Sequence, residues 1–223
     1  MKKRVVKAKS RTFKEELKEK RFRVTIFGSS RIKRGSKEYK QIYNLAKMLG
    51  EKEIEIVTGG GPGIMEAASR GHRKGRGKNK NLHNIGLAIH LPFEHKINKS
   101  VDVSKEFKHF SERLDNFMLL SNVIVVGPGG VGTLLELFYT WQLVQVKQIC
   151  HIPIILLGKE WPGLIKWLEK SPLKMKFIGK DDLKMLFLAK DCPETLKMVN
   201  KAYEEYKKGT KNFCLNYNKY KLY

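Results

Sequence analysis

The residue types best suited to chemistry in this chain are gathered in one stretch, Gly127-Pro128-Gly129-Gly130-Val131-Gly132-Thr133-Leu134-Leu135-Glu136. Glycines in a turn that opens a helix let backbone N–H groups close on a phosphate-sized anion with no Cβ in the way. The positive end of the helix behind them adds attraction. Glu136 stands three residues after Thr133, so on a helix both side chains reach the same pocket mouth. A carboxylate beside a phosphate cradle suggests bond-making next to a phosphate, and so a nucleotide-handling enzyme.

The flanking sequence supplies the elements that must hold this turn. An apolar run, 123–126, precedes it and an amphipathic run, 134–146, follows, which reads as strand, turn, helix. Two upstream segments repeat the pattern. Residues 24–27 form a buried first strand ending in Gly28-Ser29-Ser30, whose hydroxyls are placed for phosphate or ribose. Residues 54–58 form a second strand running into Gly59-Gly60-Gly61-Pro62-Gly63, with Pro62 suited to an early helical position. This is not the G-x-G-x-x-G fingerprint, and no acid follows at the next strand end, which disfavours a nicotinamide enzyme. Further strands are expected at 85–89, 152–157 and 185–188, with a short extended piece at 104–110. Helices are expected from about 12, then over 39–49, 111–120 (Ser111 as N-cap), 164–169 and 193–207. Strands alternating with helices predict an α/β fold, one domain with a parallel sheet flanked by helices, whose ligands sit at the carboxyl ends of the strands.

Composition narrows the class. Of 223 residues 41% are hydrophobic, enough for a core, and 45 Lys and Arg against 22 Asp and Glu leave a net charge of +23. A surface so basic favours polyanionic partners, although the cations are scattered along the whole chain. We divide it into a basic arm with a short helix (1–21), a catalytic domain (22–207) and a tail (208–223). Residues 70–81, basic and glycine-rich with no acid, read as a mobile surface loop. Nucleic acid bound by the arm and this loop is the less favoured alternative. Cys150, Cys192 and Cys214 are far apart, which argues against a zinc site or disulfide framework and for a reducing cytoplasm. His90 and His95 lack the partner spacing of a metal site. No run suits a signal peptide or a membrane span.

Pro128-Gly129-Gly130-Val131-Gly132-Thr133-Leu134-Leu135-Glu136 resembles the P-G-G-x-G-T-x-x-E signature of the LONELY GUY (LOG) family. Gly59 to Ala67 resembles the glycine-and-methionine element of the same family in its bacterial form. Gly28-Ser29-Ser30, Leu91-Pro92-Phe93-Glu94 and Arg113 follow in the family's order, so the similarity runs from about Arg23 to Val199. The resemblance implies a modified Rossmann-like fold, a homodimer or an assembly of dimers, and hydrolysis of the N-glycosidic bond of nucleoside 5′-monophosphates. The substrate would be an AMP-type nucleotide or a cytokinin riboside monophosphate, with no cofactor and no metal. Nothing in the chain supports the lysine decarboxylase label that many relatives carry.

Carried over by position, Arg113 and Glu136 are the implied catalytic pair. Gly129, Gly130, Gly132 and Thr133 would hold the 5′-phosphate, and Gly28, Ser29, Ser30, Gly60, Gly61, Gly63, Met65 and Glu94 would complete the substrate site. The helix N-terminus should favour an ionised Glu136. Three positions depart from the family pattern: Leu114 where relatives usually have lysine, Leu135 where an acid is common, and Gln142 in place of a threonine. Loss of the lysine would remove a cation from the substrate site, so a nucleotide-binding protein without turnover is the second alternative.

Overall fold

The computed structural model describes residues 12–90 and 97–209. Among these residues seven strands form one wholly parallel sheet: β1 (Arg23–Phe27), β2 (Glu55–Thr58), β3 (Asn84–Ile89), β4 (Val103–Phe107), β5 (Val123–Val126), β6 (Ile154–Leu157) and β7 (Leu186–Ala189). Their order is β4-β3-β2-β1-β5-β6-β7. The chain moves outward from β1 to β4, returns across the sheet to β5 and then builds the other side. That reversal leaves a crevice beyond the carboxyl ends of β1 and β5, where open parallel sheets bind ligands. Residues Val24 to Phe27 pair in register with Val123 to Val126. Past the strand ends, Gly127 donates to the Phe27 carbonyl and Ser29 to that of Pro128, both at 2.9 Å.

Among the described residues eight helices cover the sheet: α1 (Phe13–Lys18), α2 (Lys37–Glu51), α3 (Ile64–Gly75), α4 (Phe110–Leu120), α5 (Val131–Gln145), α6 (Trp161–Leu168), α7 (Lys180–Leu183) and α8 (Cys192–Lys207), with a π-helical turn at Glu169–Leu173. Strands covered on both faces can be apolar at every position, and Val123 to Val126 is fully buried. Alternate strand residues enter two cores. Phe27, Ile124, Val126, Ile154 and Leu156 meet α4 to α6, while Val24, Ile26, Val123, Val125 and Ile155 meet α2, α3 and α8. Phe27 and Phe117 lock edge-to-face at 5.0 Å at the base of the crevice.

Residues 70–81 depart from the expected mobile loop. Arg70 to Gly75 is the last turn and a half of α3, and Gly71 and His72 are buried. A Cβ on Gly71 would strike the Tyr43 backbone, one on Gly75 the Lys47 backbone, and one on Gly50 the backbone at His72 and Arg76. These glycines let α2 and α3 touch main chain to main chain. Helix α4 begins at Phe110, with His109 rather than Ser111 as its N-cap.

The opposite, amino-terminal ends of the strands carry a buried ionic cluster. Arg23 on β1 reaches Glu16 of α1 at 2.7 Å and Glu55 of β2 at 3.0 Å; Arg21 reaches Glu55 at 2.8 Å, and His83 contacts Glu16. Glu16, Glu55 and His83 lie close enough to suggest a metal site, but the two guanidinium groups already supply the positive charge. Burial works to raise the pKa of Glu16, yet His83 and Arg23 hold it below the usual carboxylate value. Cys192 is a free thiol, and Cys214 lies outside the described residues. No helix among the described residues is long and apolar enough to cross a membrane.

Candidate active site

A cleft of about 480 Å³ lies over the crevice between β1 and β5. Its floor is made by three glycine turns and two helices. The turn after β1 supplies Gly28, Ser29, Ser30 and Arg31; the turn after β2 supplies Gly59, Gly60 and Gly61; the start of α5 supplies Gly130, Val131, Gly132 and Thr133. Leu134 donates to Gly130 at 2.9 Å, the first step of the α5 hydrogen-bond ladder. The N–H groups of Val131, Gly132 and Thr133 therefore precede that ladder and are available to an anion.

Glu136 lies one turn further along α5, buried, and lines the cleft. Arg113 comes from the first turn of α4. Its Nε donates to the Leu87 carbonyl at 2.7 Å, its Nη1 lies 3.3 Å from Glu136 Oε1, and its guanidinium stacks 5.0 Å above Phe117. A Cβ on Gly59 would collide with that guanidinium, so the first glycine of the second turn makes room for the arginine. Burial pushes the Glu136 carboxyl up to about 7, with Arg113 pulling the other way. The expectation of a firmly ionised Glu136 is thus corrected. A helix N-terminus contributes about 0.3–1 kcal/mol to a nearby anion, whereas removing a carboxylate from water costs several.

Of the residues proposed from the sequence, Gly28, Ser29, Ser30, Gly60, Gly61, Met65, Arg113, Gly130, Gly132, Thr133 and Glu136 come together around the cleft. Gly63 and Gly129 do not line it. Gly63 has φ +65° and presses against the backbone of Ser29 and Ser30, while Gly129 packs beneath Thr133. Both shape the turns. Glu94 lies outside the described residues. Sequence reasoning passed over Arg31, Ala88, Ile89, Ile97, Phe110 and Val131, which also line the cleft. Arg31 had a signal, since it directly follows Gly28-Ser29-Ser30. Leu114 is buried and is not part of the lining, so that departure from the family pattern leaves no gap in the wall.

The family described as "possible lysine decarboxylase" matches residues 65–199, which contain Arg113 and Glu136. The chain belongs to this family, the LOG family. Curated relatives include the pyrimidine/purine nucleotide 5′-monophosphate nucleosidases of Escherichia coli K12 and O157:H7. Each is 32% identical over 133 residues, covering 54% of this chain and 28% of the relative. The chain thus spans little more than a quarter of those relatives' length. Among solved structures, the molybdenum cofactor binding protein of Rippkaea orientalis superposes with a TM-score of 0.63 at 19% identity, over 82% of this chain and 98% of that one. The molybdenum cofactor carrier protein of Chlamydomonas reinhardtii gives 0.60 at 20%, over 82% and 99%. DNA processing protein A of Helicobacter pylori gives 0.55 at 17%, over 87% and 85%. At these identities the likeness is one of fold: the LOG chain shares a Rossmann-like sheet with all three.

Proposed function

We propose that this LOG protein hydrolyses the N-glycosidic bond of nucleoside 5′-monophosphates, giving a free base and ribose 5-phosphate. The observation that carries the reading is the buried Arg113–Glu136 pair, 3.3 Å apart, on the wall of a cleft that also holds the start of α5. The nucleosidase activity named for the Escherichia coli relatives supports the same reaction class.

In this reading the 5′-phosphate sits on the N–H groups of Gly130 to Thr133, with Ser29 and Ser30 opposite, and the ribose comes to rest against Glu136. Cleavage passes through an oxocarbenium-like sugar, whose positive charge an adjacent carboxylate stabilises. Ionised Glu136 takes a proton from the attacking water as its oxygen bonds to C1′. The electron pair of the broken C1′–N bond leaves with the base, which gains a proton from solvent. Arg113, always charged, offsets the negative charge gathering on the base. The steps run through these side chains alone, so a chelator such as EDTA should leave the rate unchanged.

The deciding experiment is release of ribose 5-phosphate from a panel of nucleoside 5′-monophosphates, including AMP and isopentenyl-adenosine monophosphate. Wild type should release it, and Glu136→Gln should lower kcat by roughly 10²–10⁴-fold. If the protein binds the nucleotides yet releases nothing, the hydrolase reading fails and a binding protein takes its place. The homodimer belongs to the same proposal. Val131, Leu135 and Phe138 form an exposed apolar stripe at i, i+4, i+7 on α5 beside the cleft mouth. Sedimentation equilibrium should give a dimer that Phe138→Asp converts to monomer.

A further inference from the structure

A second concavity, about 560 Å³, opens beside the cleft, lined by Arg34, Pro62, Glu66, Arg70, Ile97, Asn98, Lys99 and Ser100. The second glycine turn stands between the two: Gly60 and Gly61 face the cleft, and Pro62 faces the groove. Ile97 borders both.

Charge in the groove is unbalanced: among the described residues, three cations face the one carboxylate of Glu66. Glu66 is engaged with Arg34, Nε to Oε2 at 3.0 Å. Arg70 holds the Tyr39 hydroxyl at 3.3 Å, and neither Arg70 nor Lys99 forms a salt bridge among the described residues. The groove is built rather than incidental. Asn98 Nδ2 donates to the carbonyls of Gly60 at 2.9 Å and Gly61 at 3.1 Å, and the Asn98 backbone N–H donates to Gly60 at 2.8 Å. These bonds fix the loop carrying Lys99 against the glycine turn, opposite α3, which carries Arg70.

We infer that the groove is a second anion site, which takes an oligophosphate chain gripped by Arg34, Arg70 and Lys99. Guanidinium forks and an ammonium suit phosphate oxygens. In a water-filled groove a single phosphate would be heavily screened, so several phosphates are needed for appreciable affinity. Among the described residues the lining holds no aromatic side chain to serve as a stacking platform for a nucleobase, which disfavours a nucleic-acid strand. The chain can be inorganic or the phosphate end of a nucleotide. Because Asn98 belongs to the groove and holds Gly60 and Gly61, an occupant bears on the wall of the cleft.

The test is calorimetric titration of the full chain with inorganic tripolyphosphate and, separately, with ATP, which needs no turnover and so stands apart from the hydrolase assay. Saturable binding is expected, weakened roughly tenfold or more in an Arg70→Ala/Lys99→Ala double variant and unchanged in Thr133→Val. Equal affinity for the two ligands would identify the phosphate chain alone as what is recognised; tighter ATP would make a nucleotide its source. Loss of binding in Thr133→Val with the double variant unaffected would put the anion in the cleft and overturn the inference. So would equal binding by all three proteins, which would mean diffuse surface charge. A single-stranded oligonucleotide that binds through Arg70 and Lys99 while tripolyphosphate does not would likewise replace it with a strand site.

Discussion

Burial raises the pKa of Glu136 to about 7 and Arg113 lowers it, so the carboxyl titrates where the protein would work. If the ionised form activates water, kcat/KM should rise with pH along an acid limb centred near 7. Removing the arginine removes the lowering influence, so in Arg113→Met the limb should move to higher pH; a pH–rate profile of both proteins checks this. The same residue bears on stability. Its folded pKa lies above the unfolded 4.5, so the folded chain binds more protons between those values, and stability falls as pH rises from about 4.5 to about 7. Glu136→Gln, which mimics the protonated form, should therefore be more stable than wild type at pH 8 by about 1–3 kcal/mol, with little difference at pH 4.5. Thermal melts at the two pH values read this directly. Gly59 is the other informative residue: Gly59→Ala should cost activity by displacing the Arg113 guanidinium, while the fold tolerates the methyl group. Thr133 and Glu136 were legible in the sequence because they follow the glycines directly, at a spacing that puts both on one face of the helix the glycine turn opens. Ala88, Ile97 and Phe110 were not, because a β3 residue, a loop residue and the first residue of α4 reach the cleft only through the sheet order.

At the scale of elements, the strands that the sequence marks best are those buried on both faces. Residues 123–126 are an unbroken apolar run, 24–27 are broken only by Thr25, and both occupy the middle of the sheet. The edge strand β4 is buried only at its two ends, with Val103 and Phe107 buried and Ser104 to Glu106 exposed, and left only a short extended signal. The end of α3 misled for a definable reason. Glycine costs about 1 kcal/mol in a helix interior, so Gly71 and Gly75 among basic residues suggested a loop. Nothing in the local sequence shows that α2 lies against them. Gly71→Ala should thus invert the usual rule: instead of the gain of up to about 1 kcal/mol seen on an exposed helix, it should destabilise by roughly 1–3 kcal/mol through overpacking. Urea denaturation with an unchanged m-value distinguishes the two.

Across the whole molecule, chemistry and bracing occupy opposite ends of the sheet. The cleft lies at the carboxyl ends of the strands, and the Arg23 cluster ties α1 to the amino ends. Arg23→Met leaves Glu16 and Glu55 buried without their main counter-charge and should cost about 3–5 kcal/mol, with KM for any accepted nucleotide unchanged in the protein that still folds. The pH dependence of stability is also a property of the whole. Burial drives His72, on α3, down to about 4, so it favours the fold above its unfolded 6.5 and disfavours it as pH falls toward 4. Between about pH 5 and 6 this opposes the contribution of Glu136, one proton against another, and the melting temperature should be nearly level there.

The sheet order has a practical consequence for anyone working from the family match. Residues 65–199 begin inside α3, after both β1 and β2 have passed. A recombinant fragment cut at those limits would lack the strand that β5 pairs with on one side and the strand that β3 pairs with on one side. The sheet would fall into two halves, each with a bare edge, and the edge of β5 would be four consecutive β-branched residues, Val123 to Val126. Such an edge recruits other chains, so the homology-defined segment should form inclusion bodies when expressed alone, whereas a piece beginning at Thr12 keeps every strand paired.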